Sequence, residues 1–222
     1  MAYGVRLHVW GDYACFTRPE MKVERVSYDI MTPSAARGVL DAIHWRPGVR
    51  WAVDRIHVLR PIRFESFRRN ELGSKVSVSN VRKAMRSGNT GGLHSYISED
   101  RQQRASSLLR DVGYVIEAHL AFTHAAKPDD TEGKHLSMFK RRASKGQCFH
   151  RPYLGTREFA ADFALVEGEM PASSLPREQR NRDLGWMLHD IDHANGEPRF
   201  FRAQLRDGVV AVPPLHAAEV KA

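Results

Sequence analysis

The hydrophobic positions in the first quarter of the chain change from strand spacing to helix spacing and back. From Tyr3 to Trp10, apolar residues occupy alternate positions, which predicts a strand with one buried face. Thr32 and Pro33 are residue types typical of a helix N-terminus. Apolar residues follow them at helical spacing, at Ala36, Val39, Leu40 and Ile43. The stretch from Trp51 to Leu59 again predicts a strand.

Residues 60–110 show a different pattern. They are polar and rich in Gly, Ser and Asn, with little periodicity before Ser106 to Leu109. An irregular segment of this length within a compact domain is usually functional or mobile. We therefore interpret residues 60–110 as a long insertion.

Regular patterns resume after this insertion. Val112 to Phe122 predicts a strand, and Leu136, Phe139 and Ala143 mark one face of a basic helix. Arg157 to Val166 predicts a further strand. The order is that of a βαββαβ ferredoxin-like domain, so the predicted fold class is α+β, with the first domain spanning residues 1–168.

The C-terminal part, residues 169–222, predicts a small antiparallel β-sheet. Its strand-like runs are Trp186 to Ile191, Phe200 to Leu205 and Val209 to Val212. Asp207-Gly208 lies between the last two runs and has the composition of a hairpin turn. We expect this subdomain to pack on the first domain or to extend it.

Charge narrows the class of partner. The 222 residues include 34 Lys and Arg against 26 Asp and Glu, giving a net charge of +8. An excess of this size favours polyanions, by attraction to phosphates and by release of their counterions. It does not separate RNA from DNA or from a merely well-solvated surface.

Two regions concentrate this positive charge, and both are candidate RNA-binding surfaces. Unpaired bases could stack on aromatic residues among these charges, at Phe64, Phe67, Tyr96, Phe149 and Tyr153, although the last two could equally be core. The first basic region comprises Arg63, Arg68, Arg69, Lys75, Arg82, Lys83 and Arg86, and the second Lys134, Lys140, Arg141, Arg142, Lys145 and Arg151.

The composition also argues against a membrane protein, a secreted protein and a zinc-binding protein. No apolar run approaches the roughly 18 residues of a membrane span, and the N-terminus lacks a secretory core, so we expect a cytoplasmic protein. Cys15 and Cys148 are far apart and lack the clustered partners of a zinc site, which predicts two reduced, buried thiols.

Chemistry without a metal is suggested by Glu132-Gly133-Lys134-His135, where a turn meets the basic helix. Metal-independent RNA cleavage needs a base for the 2′-OH, a cation for the phosphate and an acid for the leaving oxygen. A histidine and a lysine supply these groups near neutral pH. His44, at the end of the first helix, is a candidate second acid-base residue. The alternatives are that Lys134 and His135 are simply exposed residues at a helix start, and that His44 is a helix-terminal histidine favoured by the helix dipole.

Other chemistries are poorly supported. The chain has no GxxxxGK[ST] loop, no GxGxxG after a strand and no carboxylate cluster for Mg²⁺, so no cofactor or metal is expected. The cluster of His189, Asp190, Asp192 and His193 is better explained as a solvated turn than as a metal site.

Four runs of the sequence resemble one known family. They are Gly11 to Glu20, Val26-Ser27-Tyr28 through Pro33 to Gly38, Glu132 to His135, and Tyr153 to Phe159. They are similar to the Cas-five protein, variant d, of the subtype I-C CRISPR Cascade. The likeness covers about residues 3–166 well and the remainder loosely. It implies a ferredoxin-like, RRM-like fold of the RAMP superfamily.

The resemblance implies a function. Members cut precursor CRISPR RNA at each repeat hairpin and then stay on the 5′ handle of the guide, beside the backbone and large subunits of Cascade. The catalytic Lys-His pair of the family falls on Lys134 and His135. A third catalytic position, a tyrosine, falls on His44, which is a departure.

Two further functions remain open. The chain could be a non-catalytic scaffold that binds the RNA handle, and charge and fold would suit that function equally well. General DNA affinity, with metal-dependent nicking, is the third alternative.

Overall fold

A four-stranded antiparallel sheet, covered on one face by two helices, forms the centre of the fold. The computed structural model describes residues 4–192 and 195–222, so Tyr3, where the first strand was expected to begin, lies outside the described residues. In the described residues the elements are β1 (Gly4–Ala14), α1 (Pro33–Ile43), β2 (Val49–Val58), β3 (Phe64–Leu72), α2 (Val78–Ser87), β4 (Arg101–Phe122), α3 (Glu132–Ser144), β5 (Asp162–Leu165), β6 (Arg182–Asp192), β7 (Glu197–Arg206) and β8 (Val209–Ala211).

The strand order confirms the ferredoxin-like prediction. The four strands lie in the order β5-β1-β4-β2, and every neighbouring pair is antiparallel. Two crossovers, each carrying a helix, join β1 to β2 and β4 to β5. This is the arrangement of a βαββαβ unit in which a hairpin-like connection places β4 between β1 and β2.

Both helices bury the faces that their sequences predicted. α1 begins at the cap Thr32, whose side chain accepts a hydrogen bond from the N–H of Ala35, and its apolar stripe is buried. α3 buries Leu136, Phe139 and Ala143. The Phe139 ring lies 4.7 Å from the ring of Trp51 on β2, so α3 and the sheet share one core.

Much of the segment of residues 60–110 is regular, so the expectation of an irregular segment was wrong. β3 pairs with the first half of β4 from Phe64↔Leu109 to Leu72↔Arg101 and forms a two-stranded arm. α2 lies between these strands in sequence and buries none of its residues. Neither face of β3 is apolar, so hydrophobic alternation gave no strand signal there.

The C-terminal strands continue the central sheet. β8 pairs with β2 through Ile56↔Val210, and β7 and β6 follow it outward. The hairpin predicted at Asp207-Gly208 is confirmed, and both residues have positive φ, as a type I′ turn requires.

Two smaller expectations were wrong. β5 begins only at Asp162, because the chain first makes a turn in which the N–H of Phe159 donates to the carbonyl of Thr156. Cys15 is buried, as expected, but Cys148 is exposed. No helix among the described residues is long and apolar enough to cross a membrane.

Candidate active site

The ends of two helices bring His44 and His135 into contact. His44 is the C-cap residue of α1, and His135 lies in the first turn of α3. Nε2 of His44 is 3.0 Å from Nδ1 of His135. The indole N–H of Trp51 donates to the carbonyl of His44 over 2.9 Å, which fixes the backbone where α1 ends. The structure therefore joins two of the three candidate catalytic residues, which lie 91 positions apart in sequence.

The turn before α3 supplies a carboxylate to this pair. Oδ1 of Asp130 is 2.9 Å from Nε2 of His135, and Oδ2 of Asp130 accepts from the N–H of Lys127. Thr131 caps α3 by accepting from the N–H of Lys134. The cap and the turn together fix the orientation of Asp130 toward His135.

The hydrogen bonds select one tautomer for each imidazole. The Asp130 carboxylate only accepts, so Nε2 of His135 carries a proton. Arg142 only donates, and its Nη1 lies 3.5 Å from Nδ1 of His44, so Nδ1 of His44 accepts and Nε2 carries the proton. Nδ1 of His135 then accepts from His44. The result is a hydrogen-bonded relay of two imidazoles from Arg142 to Asp130.

Burial keeps His44 neutral. His44 is 0% exposed and His135 1% exposed. Burial lowers the pKa of His44 to about 4, and the positive charge of the neighbouring Arg142 acts in the same direction. His44 is consequently uncharged at neutral pH, and neither ring is open to solvent.

Lys134 lies on the solvent side of the relay. Its Nζ is 2.8 Å from Oδ2 of Asp129 and 3.7 Å from Oδ1 of Asp130, and its side chain is 41% exposed. The hydrogen bond from Lys134 lowers the pKa of Asp129, and Asp129 in turn raises the pKa of Lys134. The lysine is therefore a permanent cation, held by carboxylates that a phosphate could replace.

Most of the predicted RNA-binding residues are free for an external partner, but Lys134 and three others make internal contacts. Arg142 donates to the carbonyl of Ile43 over 3.0 Å as well as facing His44. Arg69 pairs with Glu158, and Arg151 pairs with Asp162 over 2.7 Å. The other nine side chains are exposed: Arg63, Arg68, Lys75, Arg82, Lys83, Arg86, Lys140, Arg141 and Lys145.

The aromatic candidates also differ in exposure. Phe149, at 90%, Tyr96 and Phe64 are exposed. Phe67 packs edge-on against Tyr13, with ring centroids 5.3 Å apart, and Tyr153 is half-buried.

The suspected metal cluster is not a solvated turn. His189, Asp190 and Asp192 lie in β6, and Asp190 is buried and paired with both Arg37 and Arg50. His193 lies outside the described residues. Within residues 4–192 and 195–222, no three metal-binding side chains come together as a metal site requires.

Three residues of the site escaped the sequence analysis. Asp129 and Asp130 lie in the turn before the Lys-His pair and were given no role, and Arg142 was interpreted only as part of a basic run. The signal available was two carboxylates directly before the cap Thr131 and within five positions of a Lys-His pair.

Comparison with known proteins identifies the family. The family described as CRISPR-associated protein (Cas_Cas5), in its variant Cas5d, matches residues 4–213. Two relatives are both named CRISPR pre-crRNA endoribonuclease Cas5d. The protein from Mannheimia succiniciproducens is 60% identical over 100% of both chains, and that from Thermus thermophilus is 41% identical over 94% of this chain and 91% of its own.

A solved structure supports the fold. It is described as a CRISPR-associated protein, covers 100% of this chain and 97% of its own with a TM-score of 0.70, and is 22% identical. The likeness extends through the central sheet and the C-terminal strands alike. Sequence and fold together establish that the chain belongs to the Cas5d family of CRISPR-associated proteins.

Proposed function

We propose that this chain is a metal-independent endoribonuclease that cuts CRISPR precursor RNA at the repeat hairpin. The observation that carries the proposal is the constellation of Lys134, His135 and His44, in a chain 60% identical over its whole length to a named pre-crRNA endoribonuclease. After cleavage the protein stays on the 5′ handle of the guide RNA, as a cytoplasmic subunit of the type I-C Cascade with its backbone and large subunits.

The reaction is an internal transesterification. The 2′-oxygen attacks the adjacent phosphorus and the bond to the 5′-oxygen breaks, leaving a 2′,3′-cyclic phosphate and a 5′-OH. The base in this step removes the 2′-OH proton, and the acid protonates the leaving oxygen. Lys134 stabilises the negative charge that develops on the phosphorane oxygens.

The two buried histidines carry out the proton transfers of this reaction. His135 is the histidine beside Lys134, and Asp130 orients its ring as the third group of a catalytic triad does. An RNA phosphate competes with Asp129 and Asp130 for Lys134. In our proposal its arrival moves the turn at residues 127–131 and opens His135 to the ribose. His44 then exchanges a proton with His135 through the bond between them.

The burial of both imidazoles favours a second function, that of a non-catalytic subunit that binds the RNA handle. Both imidazoles are buried, and their ring nitrogens have partners within the chain. An enzyme needs a base that reaches its substrate, whereas a scaffold that binds the RNA handle does not. A non-catalytic handle-binding subunit is therefore the alternative.

The deciding experiment uses purified protein and the repeat RNA of its own locus in EDTA. We expect one cut at the hairpin base, with a 2′,3′-cyclic phosphate (or the 3′-phosphate derived from it) and a 5′-OH. A matched RNA with a 2′-deoxy nucleotide at the cut position should bind equally well and remain intact. Tight binding of the unmodified RNA without any cut would establish the scaffold function instead.

A further inference from the structure

Two large aromatic side chains are exposed at the end of α1, next to the candidate active site. Trp45 directly follows His44 and is 58% exposed, and Phe149 is 90% exposed. The N–H of Phe149 donates to the carbonyl of Ala42 over 2.8 Å, three residues before Trp45. Both rings therefore border the same helix end, although neither belongs to the core.

Phe149 is exposed on a fixed backbone. α3 ends with Gly146 in the left-handed conformation, and the N–H of Gln147 donates to the carbonyl of Arg142, as in a Schellman motif. This turn directs the chain back to α1, where Ala42 holds the backbone of Phe149. A ring presented in this way loses little further entropy on binding a partner.

The rings continue beyond Phe149. Its centroid is 6.2 Å from that of His150, and His150 is stacked 6.1 Å from Tyr153 at an interplanar angle of 26°. The guanidinium of Arg157 lies over Tyr153, 5.9 Å from the ring centroid. Tyr153 lines a cavity of about 310 Å³ with Arg37 and the exposed Gly38 of α1.

The positive charge around the rings of Phe149, His150 and Tyr153 indicates which class of partner they bind. Residues 133–157 contain no acidic side chain, and Arg46 adjoins Trp45. An apolar protein partner would have to cover the basic side chains that neighbour these rings in sequence. A single-stranded nucleic acid instead offers flat bases for the rings and phosphates for the cations.

We propose that Trp45 and Phe149 bind unpaired bases of the RNA next to the phosphate held by Lys134. The strand then follows the row of Phe149, His150 and Tyr153 along α1. The RNA substrate is that of the proposed function, and the rings add the determinant that selects unpaired nucleotides beside the cut.

The test uses uncleavable repeat RNA with a 2′-deoxy nucleotide at the cut and 2-aminopurine at one position at a time. The variants are Trp45→Leu and Phe149→Leu, which keep apolar surface but lose the ring. Trp186→Leu is the matched control, because Trp186 is 49% exposed on β6, outside the proposed track. Phe149→Tyr keeps the ring.

We expect wild-type protein to quench the fluorescence at one or two positions next to the cut. Each of Trp45→Leu and Phe149→Leu should abolish quenching at its own position and weaken binding by about 5- to 100-fold, as for the loss of one base-aromatic stack. Phe149→Tyr and Trp186→Leu should bind like wild type. Equal binding and unchanged quenching in both leucine variants, with melting temperatures unchanged, would overturn the proposal.

This outcome is separable from that of the proposed function. Because the RNA cannot be cut, ring-dependent quenching by a protein that fails to cleave the unmodified repeat would reject the endoribonuclease alone. Normal cleavage with no quenching at any position would reject the aromatic track alone.

Discussion

Lys134 is the solvent-exposed member of the candidate catalytic residues, whose two histidines are buried. We expect Lys134→Ala to slow single-turnover cleavage by about 100-fold or more, comparable to the loss of one transition-state donor in other enzymes. RNA affinity should change by less than about threefold, since one phosphate contact contributes little to binding. Lys127→Ala is the control, because Lys127 is an exposed cation of the same turn. Cleavage by Lys134→Ala at the wild-type rate would remove Lys134 from the mechanism.

His44 makes stability depend on pH in a way that can be measured. Its pKa is about 4 in the folded chain against the ordinary value of 6.5, because burial and nearby positive charge disfavour the imidazolium. Between these two values the unfolded chain binds the additional proton, so the free energy of unfolding rises with pH. The stabilisation is complete above pH 6.5 and is lost as the pH falls toward 4.

His44→Gln removes this titration while keeping a donor for His135. On lowering the pH from about 7 to about 5, wild type should lose about 2 kcal/mol more unfolding free energy than the variant. Urea denaturation at several pH values measures this difference. Parallel pH profiles for the two proteins would contradict the lowered pKa of His44.

The sequence could predict Lys134 and His135 as a pair, because they are adjacent on a helix start. It could not predict the burial of the imidazoles, which depends on how the end of α1 packs against α3. Asp130 was missed for the same reason. A carboxylate in a turn acquires its partner only when the following helix directs His135 back toward it.

Gly155 lies in the turn that precedes β5, where the backbone passes very close to the end of β1. Its φ is +86°, and an added Cβ would lie 2.0 Å from the carbonyl oxygen of Cys15, the residue directly after β1. Backbone cannot yield as a flexible side chain does, so Gly155→Ala should destabilise the fold by about 3 kcal/mol or more.

Gly146 supplies the matched control, because its φ is +65° but nothing lies within 4 Å of an added Cβ. Gly146→Ala should cost only the left-handed penalty of about 1 kcal/mol. Denaturant midpoints of the two variants measure the difference. Equal losses would mean that conformation, and not the contact with Cys15, requires glycine at position 155.

The arm shows why whole elements can escape sequence patterns. β3 alternates Phe, Ser and Arg without an apolar face, because it packs against only one neighbouring strand and a layer of ion pairs. Glu71 contacts both Arg25 and Arg104, and Arg69 contacts Glu158. The central strands were predictable since one of their faces lies on the core, where period-two hydrophobicity is obligatory.

At the scale of the whole molecule, the exposed positive charge extends well beyond the elements that hold the candidate catalytic residues. The ferredoxin-like core and the C-terminal strands provide one continuous sheet, and exposed cations lie on the arm, on α2 and on α3. α2 carries Arg82, Lys83 and Arg86, none of them buried. We expect the cations of α2 to contact RNA phosphates away from the cut, so that they contribute to RNA affinity but not to the chemistry at Lys134.

A charge-matched comparison tests this separation. Replacing Arg82, Lys83 and Arg86 with Ala should reduce the slope of log affinity against log salt by about 2, since each lost contact with single-stranded RNA removes about 0.7 of counterion release. The cleavage rate at saturating RNA should stay within about twofold, because only uniform binding is lost. The control replaces the exposed Arg177, Arg206 and Lys221 of the C-terminal part and removes the same charge. Equal slope changes in both triple variants would mean that the RNA responds to the net charge of the protein and not to a track along α2.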